Sequence, residues 1–283
     1  MKRIEVTHLT EYQFAHVVTL KPHRLLIRPR EGHDIRIQSS SLEIFPAHEV
    51  RWARDVFNNS VATVNFKEPA DRLSIFSRVI IEHYDEAPLD FIVEEYAVNY
   101  PFRYPPREET DLLPYLKPNF PKQREIIKDW LKKIDIGTSI ETYVLLQRMS
   151  KWLNANINYT IREEPGVQSP CMTLDSNSGS CRDYATLFIE ACRQLGLASR
   201  FVSGYVLAPS TEYGNASTHA WAEVFLPGPG WKGFDPTSGE LTGNHHIATA
   251  VSRHPETVPP VSGSFVGNEQ QPRLTVNVQV TAV

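Results

Sequence analysis

Cys181, His219 and Asp235 are the residues whose types and order could carry nucleophilic chemistry in this chain. A thiol attacks as its thiolate. The unpaired N–H groups and the dipole at a helix N-terminus favour that anion. Cys181 stands at the start of a predicted helix, directly after the small-residue run Ser176-Asn177-Ser178-Gly179-Ser180. A general base and acid must pair with the sulfur. His219 opens a predicted strand in Thr218-His219-Ala220-Trp221-Ala222-Glu223-Val224. A third group must orient the imidazole and stabilise its cation. Asp235, in Gly233-Phe234-Asp235-Pro236-Thr237, lies at a predicted strand end. The turn Pro227-Gly228-Pro229-Gly230 makes these two strands antiparallel neighbours, which sets His219 beside Asp235. The other two cysteines read differently: Cys192 is a small core residue on the apolar face of the same helix, and Cys171 lies in a loop before the run.

The elements around these residues divide the chain. Residues 1–100 read as strands, with period-two alternation in Asp34-Ile35-Arg36-Ile37-Gln38 and a two-residue Asn58-Asn59 hairpin turn. Leu73 to His83 and Phe91 to Val98 supply later strands, and the whole predicts an antiparallel β-sandwich. Residues 101–121 carry six prolines and predict a linker or irregular wrap. Residues 122–265 turn helical and then mixed. Ile126, Ile127, Trp130, Leu131 and Ile134 share one helix face, ended by Gly137. Ser139 is the expected cap of a second helix bearing Tyr143, Leu146, Met149, Trp152 and Leu153. Ser180 and Asp183 form a capping box for the third helix, and Gly196 ends it. Three short strands follow, from Ser199, His219 and Trp231, and the loop from Pro209 to Ser217 between the first two is expected to shape the pocket. Leu274-Thr275-Val276-Asn277-Val278-Gln279-Val280 alternates cleanly, so residues 266–283 are expected to supply a final strand.

Composition excludes several classes. The 283 residues are 41% hydrophobic and 22% charged, with net charge −4, as in a globular protein and not a disordered one. Nothing in that balance draws the chain toward nucleic acid or acidic membranes. There is no apolar stretch of the ~20 residues a spanning helix needs and no apolar leader core, so the expected location is the cytoplasm. Three cysteines do not make a disulfide scaffold. No C-x-x-C appears, and the adjacent His245-His246 pair sends its side chains to opposite sides of an extended chain. It reads as a structural loop feature, and neither a metal nor a cofactor is expected.

Three segments together resemble a known family. Gly179-Ser180-Cys181-Arg182-Asp183-Tyr184-Ala185, His219 to Val224 and Trp231-Lys232-Gly233-Phe234-Asp235-Pro236-Thr237 look like the motifs of the transglutaminase-like superfamily. More narrowly, they resemble a bacterial group described as cysteine proteases, which also has a β-rich N-terminal domain. Trp52 to Asn59 looks similar to that domain, and His245-His246-Ile247-Ala248 with Arg253 and Pro259-Pro260-Val261-Ser262-Gly263 looks like the group's C-terminal signature. The resemblance implies an α+β fold: a papain-like core, helices on an antiparallel sheet, preceded by an all-β sandwich. It implies Cys181 as nucleophile, His219 as base and acid and Asp235 as orienter, with acyl transfer through a thioester. The oxyanion would be held by the Cys181 N–H and one further donor; Tyr159 and Trp152, upstream of the cysteine, are candidates for that donor or for shaping the pocket, with simple packing the leading alternative. The expected substrate is a peptide or a glutamine-type amide, cleaved by water. The same intermediate could instead give deamidation or a lysine crosslink. A reading from another class, a peptide-binding scaffold, rests on the large N-terminal region without a catalytic motif. Oligomeric state is not encoded in any of these features.

Overall fold

The computed structural model describes residues 1–84, 91–162, 164–207, 218–267 and 272–283. The loop from Pro209 to Ser217, expected to shape the pocket, lies outside the described residues.

The N-terminal part is built from β1 (Lys2–Leu20), β2 (His23–Leu25), β3 (Ile35–Phe45), β4 (His48–Arg54), β5 (Ser60–Phe66) and β6 (Ala70–His83). Alternation forms two antiparallel sheets, because every second side chain can then be buried on one face. One sheet orders β1, β6 and β3; the other orders β2, β5 and β4. Phe14, Val18, Leu25, Val64, Leu73 and Ile75 meet between them as a buried core. Asn58-Asn59 is not a two-residue turn. The connection spans residues 55–59, with Asn58 in the left-handed region (φ 61°). The Asp55 carboxylate accepts the N–H groups of Phe57 and Asn59, both at 2.9 Å, and so folds the loop on itself.

The middle of the chain departs from the sequence expectation in three places. Residues 95–98 form one helical turn, α1 (Glu95–Val98), in place of the expected strand; the Glu94 N–H instead bonds the Pro227 carbonyl. β7 (Asn99–Tyr100) follows. The Pro-rich segment holds α2 (Pro106–Leu116) and is not an irregular linker. Pro106 sits in the first turn, where its missing N–H costs no helix bond, and Leu112 buries against Tyr104 and Ala198. After α3 (Arg124–Leu131) and β8 (Ile140–Glu141), α4 (Thr142–Asn156) begins beyond the expected Ser139 cap. The Thr142 hydroxyl donates instead to the Ala97 carbonyl at 2.7 Å.

β9 (Asn158–Tyr159), α5 (Pro170–Ser176), β10 (Ser178–Gly179) and α6 (Cys181–Gln194) lead into the second sheet system. Cys171 therefore lies in a helix and not in a loop. Gly196, at φ +77°, supplies the left-handed residue that ends α6. β11 (Ser199–Val206), β12 (Thr218–Leu226), β13 (Gly230–Asp235), β14 (Glu240–Leu241) and β15 (His246–Ser252) form one antiparallel sheet in the order β14-β13-β12-β11-β15. α4 and α6 pack against this sheet around Leu146, Met149, Phe188, Ala222 and Phe234. The result is an α+β core, helices on an antiparallel sheet, behind a strand-rich N-terminal region. β16 (Val261–Ser262) pairs with β2, while β17 (Phe265–Val266) and β18 (Arg273–Ala282) both pair with β1, so the C-terminus returns to the N-terminal sheets. Among the described residues no helix is long and apolar enough to cross a membrane.

Candidate active site

The second sheet brings four strand ends to one edge. β11 pairs Gly204 with His219 and Val206 with His246, and Asp235 closes β13 at the same end. This edge faces the N-terminus of α6, which carries Cys181.

The entry to α6 is fixed by a buried carboxylate. Asp183 accepts the Ser180 N–H at 2.8 Å and the Ser180 hydroxyl at 2.7 Å through Oδ2. Its Oδ1 accepts the Gln168 N–H at 2.7 Å and Arg162 Nη1 at 2.9 Å. The capping pair expected from sequence is present, and it has a further partner in Arg162. A buried carboxylate held by four donors on three segments leaves the Cys181 backbone little freedom. Parallel pairing of β9 with β10 sets Tyr159 beside Gly179, two residues before the cysteine. Trp152 goes elsewhere: its indole packs edge-on against Trp130 with centroids 5.5 Å apart. Arg182 is structural, donating to the carbonyls of Arg162 and Glu164.

Cys181, His219 and Asp235 come together. Cys181 is half-buried; His219 and Asp235 are 5% and 1% exposed. His219 Nε2 lies 2.8 Å from Asp235 Oδ2, and the Cys181 thiol is hydrogen-bonded to the same ring. Asp235 is held in turn by the Thr237 N–H, which donates to Oδ1 at 2.9 Å. Burial by itself would depress the His219 pKa. The Asp235 charge, its hydrogen bond and the Cys181 contact outweigh that, so the ring holds its proton above the usual histidine range. Burial would raise the Asp235 pKa, but the His219 charge and hydrogen bonds from both His219 and His246 hold it well below the carboxylate range. The remaining thiols are disfavoured as anions. Burial pushes Cys192 up, and the hydrogen bond to Asp175 Oδ2 at 3.0 Å does so for Cys171.

Sequence alone gives His246 no place in this site. The adjacent pair does split as an extended chain requires: His245 Nδ1 contacts the Leu207 carbonyl at 3.2 Å, while His246 turns inward to Asp235 Oδ2 at 3.3 Å. The signal is available in that alternation, but the partner is not, because β15 reaches Asp235 only through the strand order. Ligand atoms of His219, Asp235 and His246 lie within 4.8 Å of one another, a grouping able to hold a metal ion. Asp235 Oδ2 already takes both rings as hydrogen-bond partners, so a metal there would have to displace them.

Residues 4–82 match the bacterial transglutaminase-like N-terminal region, and residues 132–236 match the transglutaminase-like superfamily. The second match spans Cys181, His219 and Asp235 together. The chain belongs to the transglutaminase-like superfamily. Among its relatives, uncharacterized protein Rv2569c of Mycobacterium tuberculosis is 28% identical over 305 residues, covering 98% of this chain and 92% of its own. Uncharacterized protein ML0607 of Mycobacterium leprae is 30% identical over 138 residues, 47% of this chain and 48% of its own. A crystal structure described as a putative cysteine protease from Cytophaga hutchinsonii covers 100% of this chain and 91% of its own with a TM-score of 0.76. At 19% identity that likeness is one of fold.

Proposed function

We propose that this transglutaminase-like protein is a thiol acyl-transfer enzyme that hydrolyses peptide or glutamine-type amides through Cys181, His219 and Asp235. The observation that carries the reading is the buried Asp235 carboxylate bonded at 2.8 Å to the imidazole that meets the Cys181 thiol. Proton transfer from Cys181 to His219 gives a thiolate beside an imidazolium, and Asp235 stabilises the cation so formed. The thiolate adds to the amide carbon and the carbonyl oxygen becomes an oxyanion. The Cys181 N–H, one of the unpaired donors of the first helical turn, faces that charge. Of the two candidates for a second donor, Tyr159 lies beside Gly179, whereas Trp152 is packed against Trp130, which supports Tyr159 for that role.

Collapse of the tetrahedral intermediate breaks the C–N bond. His219 gives its proton to the departing amine, and a Cys181 thioester remains. Water, deprotonated by His219, then attacks the thioester and releases the acid. A lysine amine in place of water would yield a crosslink, and loss of ammonia from a glutamine amide followed by water gives deamidation.

The test is a peptide and amide library incubated with the protein and with Cys181→Ala, read by mass spectrometry. Cleaved or deamidated products that vanish in Cys181→Ala are expected; lysine-linked products would move the assignment to crosslinking. A product set identical for the two proteins contradicts the proposal.

A further inference from the structure

Asp235 has two imidazole partners, and the triad uses one. His246 Nε2 approaches Asp235 Oδ2, the same oxygen that His219 engages. The other nitrogen of His246, Nδ1, accepts the Gly243 N–H at 3.4 Å. That acceptor role leaves the proton on Nε2, so His246 donates to the carboxylate. The ring is held in place by Trp221, whose indole meets it edge-on at 5.2 Å, and its side chain is 11% exposed. Trp221 also lies against His219, with centroids 6.2 Å apart.

We propose that His246 is a positioning residue for the reaction proposed above: its Nε2–H clamps Asp235 Oδ2, so that the carboxylate stays aimed at His219. The inference rests on the triad reading. A carboxylate bonded only to His219 and the Thr237 N–H could swing about its last side-chain torsion. A third donor on Oδ2 removes that freedom. The donor must also be uncharged, because a second cation would draw the Asp235 charge away from His219. Among the described residues, the titratable groups facing His246 are Asp235 from β13, His219 from β12 and His83 from β6, whose Nε2 meets the His246 carbonyl at 3.2 Å, with His245 next to it in the chain. Burial is the largest influence on the ring and lowers its pKa, which keeps it neutral near pH 7.

The experiment is the pH profile of Cys181 alkylation by iodoacetamide, followed residue by residue in wild type, His246→Ala, His246→Phe, His246→Gln and His219→Ala, with thermal unfolding as a fold control. Loss of the clamp is expected to slow alkylation near neutral pH about ten-fold in His246→Ala and His246→Phe, and to move the profile to higher pH. His246→Gln, which keeps a neutral N–H donor, should recover most of the rate. If His246→Ala does not fold, the comparison of Phe with Gln decides: equal profiles overturn the proposal. Overlap of all His246 variants with wild type, while His219→Ala departs, overturns the clamp alone. Overlap of His219→Ala with wild type overturns the triad and the clamp with it.

Discussion

Asp235 is the residue on which the site's electrostatics turn. It is buried and charged, and it meets His219, His246 and the Thr237 N–H at once. The Asp235 contribution to stability is present above the unfolded carboxylate value of 3.8 and lost as pH falls through its depressed folded value. That of His219 is complete below its unfolded value of 6.5 and lost as pH rises through its raised folded value. The pair therefore stabilises most between those two unfolded values. Asp235→Ala should cost about 3–5 kcal/mol there, because it strands a buried cation. Urea unfolding should show the gap from wild type shrinking at alkaline pH, and a gap that widens instead would contradict the pairing. Asp235→Asn should lower turnover by on the order of 10⁴-fold. Cys181, His219 and Asp235 can be picked out in the sequence because each stands at a recognisable element boundary. His246 cannot, since its role depends on which strands are neighbours.

At the scale of elements, β11 is the strand that lets the two histidines share one carboxylate. It runs between β12, which carries His219, and β15, which carries His246. Gly204 sits at the crossing point. A Cβ placed there would come within 2.2 Å of the Ile247 carbonyl oxygen and 2.7 Å of the Trp221 ring. Gly204→Ala must therefore push β15 or Trp221 aside, at about 1–3 kcal/mol. The measurable consequence is a lower melting temperature together with slower Cys181 alkylation; a stability loss with unchanged alkylation would mean that β11 does not position the site. The helical periodicities and the β12–β13 hairpin can be read directly from the sequence. Helix α2 cannot, because proline density reads as a break while Pro106 at a helix start breaks nothing. The one-turn α1 is hidden for another reason: its place is set by the Glu94 bond to Pro227, far along the chain.

At the scale of the whole molecule, the N-terminal sheets and the second sheet share a core. Tyr205 and Ile247 from the second sheet pack with Ile4, Val6, Val79 and Val280 from the first. His8 lies at this junction, bonded at 2.8 Å to the Tyr205 hydroxyl and at 2.8 Å to the Thr10 hydroxyl. Burial lowers its pKa to about 4. The unfolded chain takes up that proton first, so the stabilisation is full above pH 6.5 and lost as pH falls toward 4. The loss is about 3 kcal/mol for this one group. Urea midpoints across that range should fall in wild type and fall less steeply in His8→Phe; parallel slopes would contradict the assignment. Asn59 ties the same halves by donating to the Val251 carbonyl at 2.8 Å and accepting its N–H at 2.9 Å. The sequence shows the strands of both halves but not this joint, since its partners are nearly two hundred positions apart.

The central claim is that one of three cysteines is activated by a buried histidine and carboxylate. Brief iodoacetamide labelling of the native protein at neutral pH, resolved by mass spectrometry for each cysteine, tests it most directly. The account predicts that Cys181 labels well ahead of Cys171 and Cys192, and that His219→Ala abolishes the lead. Labelling of Cys181 no faster than Cys171, or equally fast in His219→Ala, would contradict it.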